Sequence, residues 1–308
     1  MKVTPEVFAR LPVAVFALKI AASRKCHVEV YGQDASHVQI TNNYCLRQNA
    51  GIGKRRLRVG ESPHSPRIRK VAFNMSAKPE KISTGCRSLD ELLRGGFGRG
   101  EITLIYGEAA TGKTTTIIQA AVSAARIGLK ILYVDSDHSF THQRFQQIAG
   151  KESRAASELI MLFLPETFAE QRALVESLEN YITPSLGLVT VDSMSSLYRA
   201  AFPTTESIFT LNRDLSRQLA YLRDLSASGN IACLVTGQVH ARLAPPVSDI
   251  EPVARRALFH FPRAILRLRN TPKQGVKEFC LERIEGSDTR GTSCLVSLGE
   301  TGFEDVRT

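Results

Sequence analysis

The stretch Ile102-Thr-Leu-Ile-Tyr-Gly107-Glu-Ala-Ala-Thr-Gly112-Lys113-Thr114 constrains this chain more than any other. It opens with a short apolar, β-branched run that reads as a buried strand. Two glycines then frame a tight loop, followed by a lysine, a threonine and a helix-forming segment from Thr115 to Ile127. Strand, G-x-x-x-x-G-K-T and helix, in that order, make a phosphate-binding loop in its required context. Gly107 and Gly112 let the backbone wrap and turn its N–H groups inward. The helix adds its free N–H groups and the positive end of its dipole. Lys113 brings a mobile charge to terminal phosphates, and the Thr114 hydroxyl can ligate Mg²⁺. The segment Gly107, Glu108, Ala109, Ala110, Thr111, Gly112, Lys113, Thr114 and Thr115 is therefore the expected seat of ATP and Mg²⁺.

Around this loop, strand and helix patterns alternate. Lys130 to Val134, Glu158 to Leu164, Leu186 to Val191 and Ile231 to Thr236 read as strands. Glu166 to Tyr181 and Ser207 to Ser228 read as helices, the second closed by Gly229. Such alternation predicts an α/β fold with a mostly parallel sheet flanked by helices. Arg263 to Arg269, Lys277 to Arg283 and Ser293 to Leu298 follow without long helices between them, and predict an antiparallel C-terminal extension. Ser88-Leu-Asp-Glu91 has the spacing of a capping box before a short helix that stops at Gly95-Gly96.

Charge divides the chain. Its net charge is +10, and residues 1–74 hold 13 Lys/Arg against 4 Asp/Glu, so +9 of the total. Val3 to Ala22 could form a helix, and His27 to Tyr31 and His37 to Ile40 alternate like strands. Lys54-Arg-Arg-Leu-Arg58 and Arg67-Ile-Arg-Lys70 then form a basic run. This reads as a basic arm for nucleic acid or as a solvated tail. Met75 offers an alternative start ahead of the well-patterned part. The expected organisation is a basic N-terminal extension, 1–74, disordered or upstream of the true start, and an ATPase core, 75–308.

The six cysteines are scattered, with no C-x-x-C, as expected for free thiols in a reducing cytosol. Lys19 interrupts the apolar run Leu11 to Ala22, which is too short to span a bilayer. A cytoplasmic protein without a membrane partner is expected.

In a parallel α/β sheet, ligands gather at the carboxyl ends of the strands. Asp192 ends one strand and can hold Mg²⁺, usually through water, opposite Thr114. Asp135 and Asp137 end another, and either can orient an attacking water. Gln238 follows a third and can sense a γ-phosphate. The loop Val239 to Asp249, with His240, Arg242 and two prolines, reads as mobile. His240 is expected to be a solvated loop residue rather than a base.

These motifs resemble the core of the RecA/RadA recombinases. Ser83-Thr-Gly…Gly96-Phe97, Gly107–Thr114, Tyr133-Val-Asp-Ser-Asp137, Val191-Asp192-Ser193, Gln238-Val-His240 and Gly302-Phe-Glu-Asp305 carry the resemblance, which spans about residues 82–306. The stretch Phe163-Leu-Pro…Phe168…Gln171-Arg172 is similar to archaeal RadA paralogues that consist of the ATPase core alone. The resemblance implies a RecA-like P-loop NTPase core and an ATP- and DNA-binding accessory factor in homologous recombination and DNA repair. It implies weak ATP hydrolysis and no strand exchange. Its expected partners are single-stranded or branched DNA, bound without sequence preference, and a RadA-type recombinase or junction resolvase. Catalytic roles carry over to Lys113, Asp137 and Gln238, and Arg144 matches an arginine that packs near adenine. Arg242 lies in the family's second DNA loop. Arg255, Arg256, Arg263, Arg267 and Arg269 follow it, either as phosphate contacts or, for the last three, as the solvated face of an edge strand.

Three departures from the family pattern matter. Asp137 stands where the family usually has Glu, and a carboxylate withdrawn by one methylene can lower the rate about a hundredfold. Gly237 replaces the family's Asn before the sensor Gln, which implies a looser sensor strand. Neither a Phe-x-x-Ala polymerisation motif nor a helix-hairpin-helix domain is recognisable in the N-terminal segment, which argues against an autonomous filament. Two rival expectations are a DNA-stimulated recombinase that filaments and a KaiC-type regulatory ATPase, which shares the phosphate loop and the Thr-Gly…Gly-Gly approach.

Overall fold

Strands that are mostly apolar on both faces cannot lie half in water. The computed structural model buries them between two helical layers. It describes residues 27–31, 37–41, 80–202, 208–241, 250–284 and 291–306. In chain order these form β1 (His27–Tyr31), β2 (His37–Thr41), β3 (Lys81–Ile82), α1 (Arg87–Leu92), β4 (Phe97–Gly98), β5 (Ile102–Gly107), α2 (Lys113–Arg126), β6 (Lys130–Asp135), α3 (His142–Ala149), α4 (Ser153–Ser157), β7 (Ile160–Phe163) and α5 (Phe168–Ser177). There follow β8 (Leu186–Asp192), α6 (Ser196–Ala200), α7 (Ile208–Gly229), β9 (Ala232–Gly237), β10 (Val239–Ala241), β11 (Ile250–Pro252), α8 (Arg255–His260), β12 (Ala264–Asn270), β13 (Val276–Ile284), β14 (Ser293–Gly299) and β15 (Gly302–Asp305). β1 and β2 belong to a unit separate from the core and pair antiparallel with each other. The basic runs and Met75 lie outside the described residues.

The main sheet runs β15-β14-β13-β12-β5-β9-β8-β6-β7. From β12 to β7 every pairing is parallel. From β12 outward to β15 every pairing is antiparallel. Alternate residues of the central strands feed two cores. Ile105, Ile131, Tyr133, Leu234 and Leu266 pack against α1 and α2 on one face. Leu104, Leu132, Val134, Val191 and Val235 pack against α5, α7 and α8 on the other. α7 buries Leu211, Leu215, Leu219, Leu222 and Leu225, the stripe that helical periodicity demands of a covering helix. Among the described residues no helix is long and apolar enough to cross a membrane. Cys86, Cys233, Cys280 and Cys294 are free thiols, and Cys26 and Cys45 lie outside the described residues.

Several expectations need correction. Ala264–Asn270 is not part of a purely antiparallel extension: β12 pairs parallel with β5 and antiparallel with β13. It is therefore an interior strand, not an edge. Nor do the arginines form one patch. Arg263 precedes β12 and lies 3.7 Å from Glu101, whereas Arg269 is near the strand's other end, one position beyond the Leu268–Gly107 pairing.

The Ser88 capping box does not form. Cys86 is the N-cap of α1, without a side-chain cap. The backbone N–H and hydroxyl of Ser88 instead donate to Asp305 Oδ1, at 2.8 and 2.6 Å, across 217 residues. Asp90 accepts from Ser83 and Thr84. Finally, the expected mobile loop begins and ends in strands. β10 pairs with β11, and Arg242, with the rest of 242–249, lies outside the described residues.

Candidate nucleotide site

The carboxyl ends of β5, β6, β8 and β9 bring the predicted polar residues together. At the end of β5, a Cβ on Gly107 would lie 2.1 Å from the Leu268 carbonyl oxygen of β12. Gly112, the N-cap of α2, has φ 109°, and a Cβ there would meet the Phe303 ring at 2.6 Å. Only glycine fits either place. Between them Glu108, Ala109 and Ala110 are exposed, and Thr111 is buried with its hydroxyl donating to the Glu108 carbonyl at 2.9 Å. Thr115 is buried in the first turn of α2.

Lys113 folds back over this loop. Its Nζ donates to the carbonyls of Gly107 and Glu108, at 2.9 and 2.6 Å. Burial lowers its pKa, and the nearby carboxylates of Asp192, Asp137 and Glu108 oppose that shift. A polyphosphate would offer this ammonium better acceptors than neutral carbonyls.

Asp192 is 1% exposed at the end of β8. Thr236 donates to its Oδ1 at 2.5 Å, and Tyr133 and Ser139 donate to its Oδ2 at 3.3 Å. Burial raises its pKa, against the hydrogen bonds from Thr236 and Thr114. The Ser139 hydroxyl also lies 3.1 Å from Thr114 Oγ1, so one carboxylate and two hydroxyls converge. Among the described residues no group of three or more His, Cys, Asp or Glu side chains could hold a metal. A single carboxylate beside a hydroxyl is nevertheless the donor set that suits Mg²⁺, which keeps several waters and takes substrate phosphates as ligands.

Asp135 and Asp137 separate clearly. Asp135 is buried and accepts the backbone N–H groups of Ser139 and Phe140, at 3.0 and 2.9 Å. It holds the turn that delivers Ser139. Asp137 faces the site, where Gln238 Nε2 donates to both carboxylate oxygens at 3.1 Å. The Gln238 backbone N–H donates to Ser195 Oγ, and its carbonyl accepts from Val253 N, just beyond β11. Gly237 beside it is buried and paired with Tyr106, so it sits within the ladder.

The remaining described candidates make no hydrogen bond to this cluster that the structure shows. The Arg144 guanidinium donates to the carbonyls of Gly299 and Glu300, at the β14–β15 turn. Arg255 and Arg256 are exposed on α8, with Arg255 over the Phe259 ring at 5.1 Å. Sequence reasoning missed Ser139, Tyr133, Thr236 and Ser195. The one available signal was position, since Thr236 stands two residues before Gln238 at the end of a predicted strand.

The family model for Rad51 matches residues 77–305, a span that contains the whole site. The chain belongs to the Rad51 family. Within it, the chain is homologous to archaeal RadB. The DNA repair and recombination protein RadB of Thermococcus gammatolerans is 38% identical over 228 residues, covering 73% of this chain and 99% of its own. That of Methanococcoides burtonii is 32% identical over 197 residues, 64% of this chain and 86% of its own. A crystal structure of the RadB recombinase superposes with a TM-score of 0.63 at 35% identity, covering 73% of this chain and all of that one. The match to RadB favours the recombinase branch over the KaiC-type alternative.

Proposed function

We propose that this chain is an ATP- and DNA-binding accessory factor in homologous recombination and DNA repair, in which Mg²⁺-ATP acts as a switch. The loop from Gly107 to Thr115 holds the phosphates, with Lys113 on the terminal ones, and Thr114 and Asp192 hold Mg²⁺. When bound, the metal neutralises charge on the phosphates. Asp137 orients a water for hydrolysis. One observation carries the switch. Gln238 binds Asp137 through its side chain and the segment after β11 through its backbone. Whatever moves Gln238 therefore acts on the active carboxylate and on the β10–β11 hairpin together.

Hydrolysis is weak in this reading, because the short Asp137 side chain is held by Gln238. Arg242, Arg255 and Arg256 supply phosphate contacts to single-stranded or branched DNA, without sequence preference and with strong salt dependence. The protein partner is a RadA-type recombinase or a junction resolvase, and the chain performs no strand exchange of its own. The deciding experiment is fluorescence anisotropy of a labelled single strand with the full chain, without nucleotide, with Mg²⁺-ADP and with Mg²⁺-ATP. ATP should change the DNA affinity of the unmodified protein and leave that of Lys113→Ala unchanged. Normal ATP binding by Lys113→Ala, or a DNA affinity indifferent to nucleotide, would sink the reading. Fast turnover stimulated by DNA would instead favour the autonomous recombinase.

A further inference from the structure

Ser139 is half-buried in the turn between β6 and α3. Four backbone hydrogen bonds fix that turn, and none of them uses the Ser139 hydroxyl. The N–H groups of Ser136 and Asp137 donate to the Asp192 carbonyl, at 2.7 and 3.1 Å. Those of Ser139 and Phe140 donate to the Asp135 carboxylate, at 3.0 and 2.9 Å. The main chain thus sets the hydroxyl beside both groups of the proposed Mg²⁺ site. Its Oγ lies 3.1 Å from Thr114 Oγ1 and 3.3 Å from Asp192 Oδ2, with Asp135 Oδ1 at 3.5 Å. These separations are long for O–H···O bonds, which ordinarily span about 2.5–3.0 Å. One hydroxyl hydrogen faces three acceptors and sits closely on none. The spacing suits a cation better. Oxygen ligands about 2.1 Å from Mg²⁺ in an octahedron stand about 3.0 Å from their neighbours. The other hydroxyls on Asp192 are placed differently. Thr236 and Tyr133 are fully buried, and their hydroxyls bond to Asp192 alone.

We propose that the Ser139 hydroxyl is a third protein oxygen of the metal site, a ligand for the divalent cation alongside Thr114 and Asp192. The proposal rests on the Mg²⁺-ATP site described above and adds a residue to it. Ser139 offers a lone pair to the cation and sends its hydrogen to Asp192 Oδ2. Thr114, with its own lone pair on the cation, no longer competes for that hydrogen. A hydroxyl on a cation is a stronger donor than a free one, and its acceptor here is a carboxylate, so the slack bond to Asp192 should shorten. Ser139 takes the place of a metal-bound water that would otherwise link Thr114 to Asp192. The four backbone bonds of the turn stay in place when the hydroxyl is removed, so its loss can be read at the metal rather than in the fold.

The test is calorimetric titration of the full chain with ATP, in EDTA and in saturating Mg²⁺. Mg²⁺ should tighten ATP binding by the unmodified protein. Ser139→Ala should reduce that tightening about tenfold and leave the affinity in EDTA unchanged. Ser139→Cys should respond as poorly to Mg²⁺. It should regain the tightening with Cd²⁺, a soft cation that suits a thiolate, beyond any effect of Cd²⁺ on the unmodified protein. A Mg²⁺ response that Ser139→Ala leaves intact overturns this proposal and spares the metal site. So does equal weakening with and without Mg²⁺, the mark of a disturbed loop, and so does a Ser139→Cys protein indifferent to Cd²⁺. No Mg²⁺ response in the unmodified protein would overturn the metal site itself, and this proposal with it.

Discussion

Gln238 donates through one amide nitrogen to both oxygens of Asp137, at 3.1 Å each. The group expected to sense the γ-phosphate thus restrains the group expected to orient the water. Lengthening the carboxylate tests the consequence. Asp137→Glu should raise steady-state ATP turnover, by up to about a hundredfold if one methylene of reach is the whole deficit. Asp137→Asn should remove turnover while retaining Mg²⁺-ATP binding. Turnover unchanged in Asp137→Glu would show that reach is not what limits this site.

Gln238 itself should matter more for communication than for hydrolysis. Gln238→Ala removes the contact with Asp137 but leaves the backbone bonds to Ser195 and Val253 in place. DNA affinity measured with and without Mg²⁺-ATP should become the same in this variant. If the difference between the two conditions persists, coupling runs through another contact.

Asp192 should destabilise the ligand-free fold. Its pKa is raised by burial, so the folded state holds this proton more tightly than the unfolded chain does. Stability is therefore lost as pH rises from the unfolded value near 4 through the raised folded value, and the loss is complete above it. Asp192→Asn should melt higher than the unmodified protein at neutral pH without Mg²⁺-nucleotide, and the gap should close toward pH 4. The same variant should lose the rise in melting temperature that Mg²⁺-ATP gives. A gap that stays constant with pH would place the effect elsewhere than in the ionisation of Asp192.

How much of this was legible in the sequence depends on what each residue's role requires. That the Gly107–Thr115 loop, Asp192, Asp137 and Gln238 gather at one end of the sheet could be read because each stands at the end of a strand, and strands announce themselves by pattern. Ser139, Tyr133 and Thr236 could not. They are ordinary hydroxyl residues until β8 is known to lie between β6 and β9, and strand order is a property of the folded sheet. Ser88 shows the opposite failure, a correct local motif overruled by a distant partner. A carboxylate from the other end of the core, Asp305, takes the Ser88 N–H that the capping box would have needed. The arginines of β12 misled for the same reason, since alternation on an interior strand looks like alternation on an edge.

Asp135 and Asp137 were interchangeable in sequence and should now behave differently. Asp135 accepts two backbone N–H groups from the turn that carries Ser139. Asp135→Ala leaves those donors unpaired, which should cost about 2–4 kcal/mol in a denaturant titration. Asp137→Ala, whose partner is a side-chain amide at the rim of the site, should stay within about 1 kcal/mol of the unmodified protein. Equal losses in the two variants would return the two aspartates to equivalence.

The C-terminal strand should prove part of the nucleotide site although none of its own residues is a predicted ligand. Gln119, in the middle of α2, accepts from the Phe303 N–H at 2.8 Å and donates to the Phe303 carbonyl at 2.9 Å. Both bonds are buried, and they hold the Phe303 ring against Gly112, the glycine that closes the phosphate loop. Gln119→Leu keeps the volume but strands a backbone donor and a backbone acceptor. It should lower stability by about 2–4 kcal/mol, or about 5–12 °C in melting temperature for a core of this size. Under conditions where the variant is still folded, its ATP affinity should also fall, because Gly112 loses the ring that braces it. Loss of stability with unchanged ATP affinity would confine Gln119 to holding β15. Loss of both would make that strand a brace for the phosphate loop.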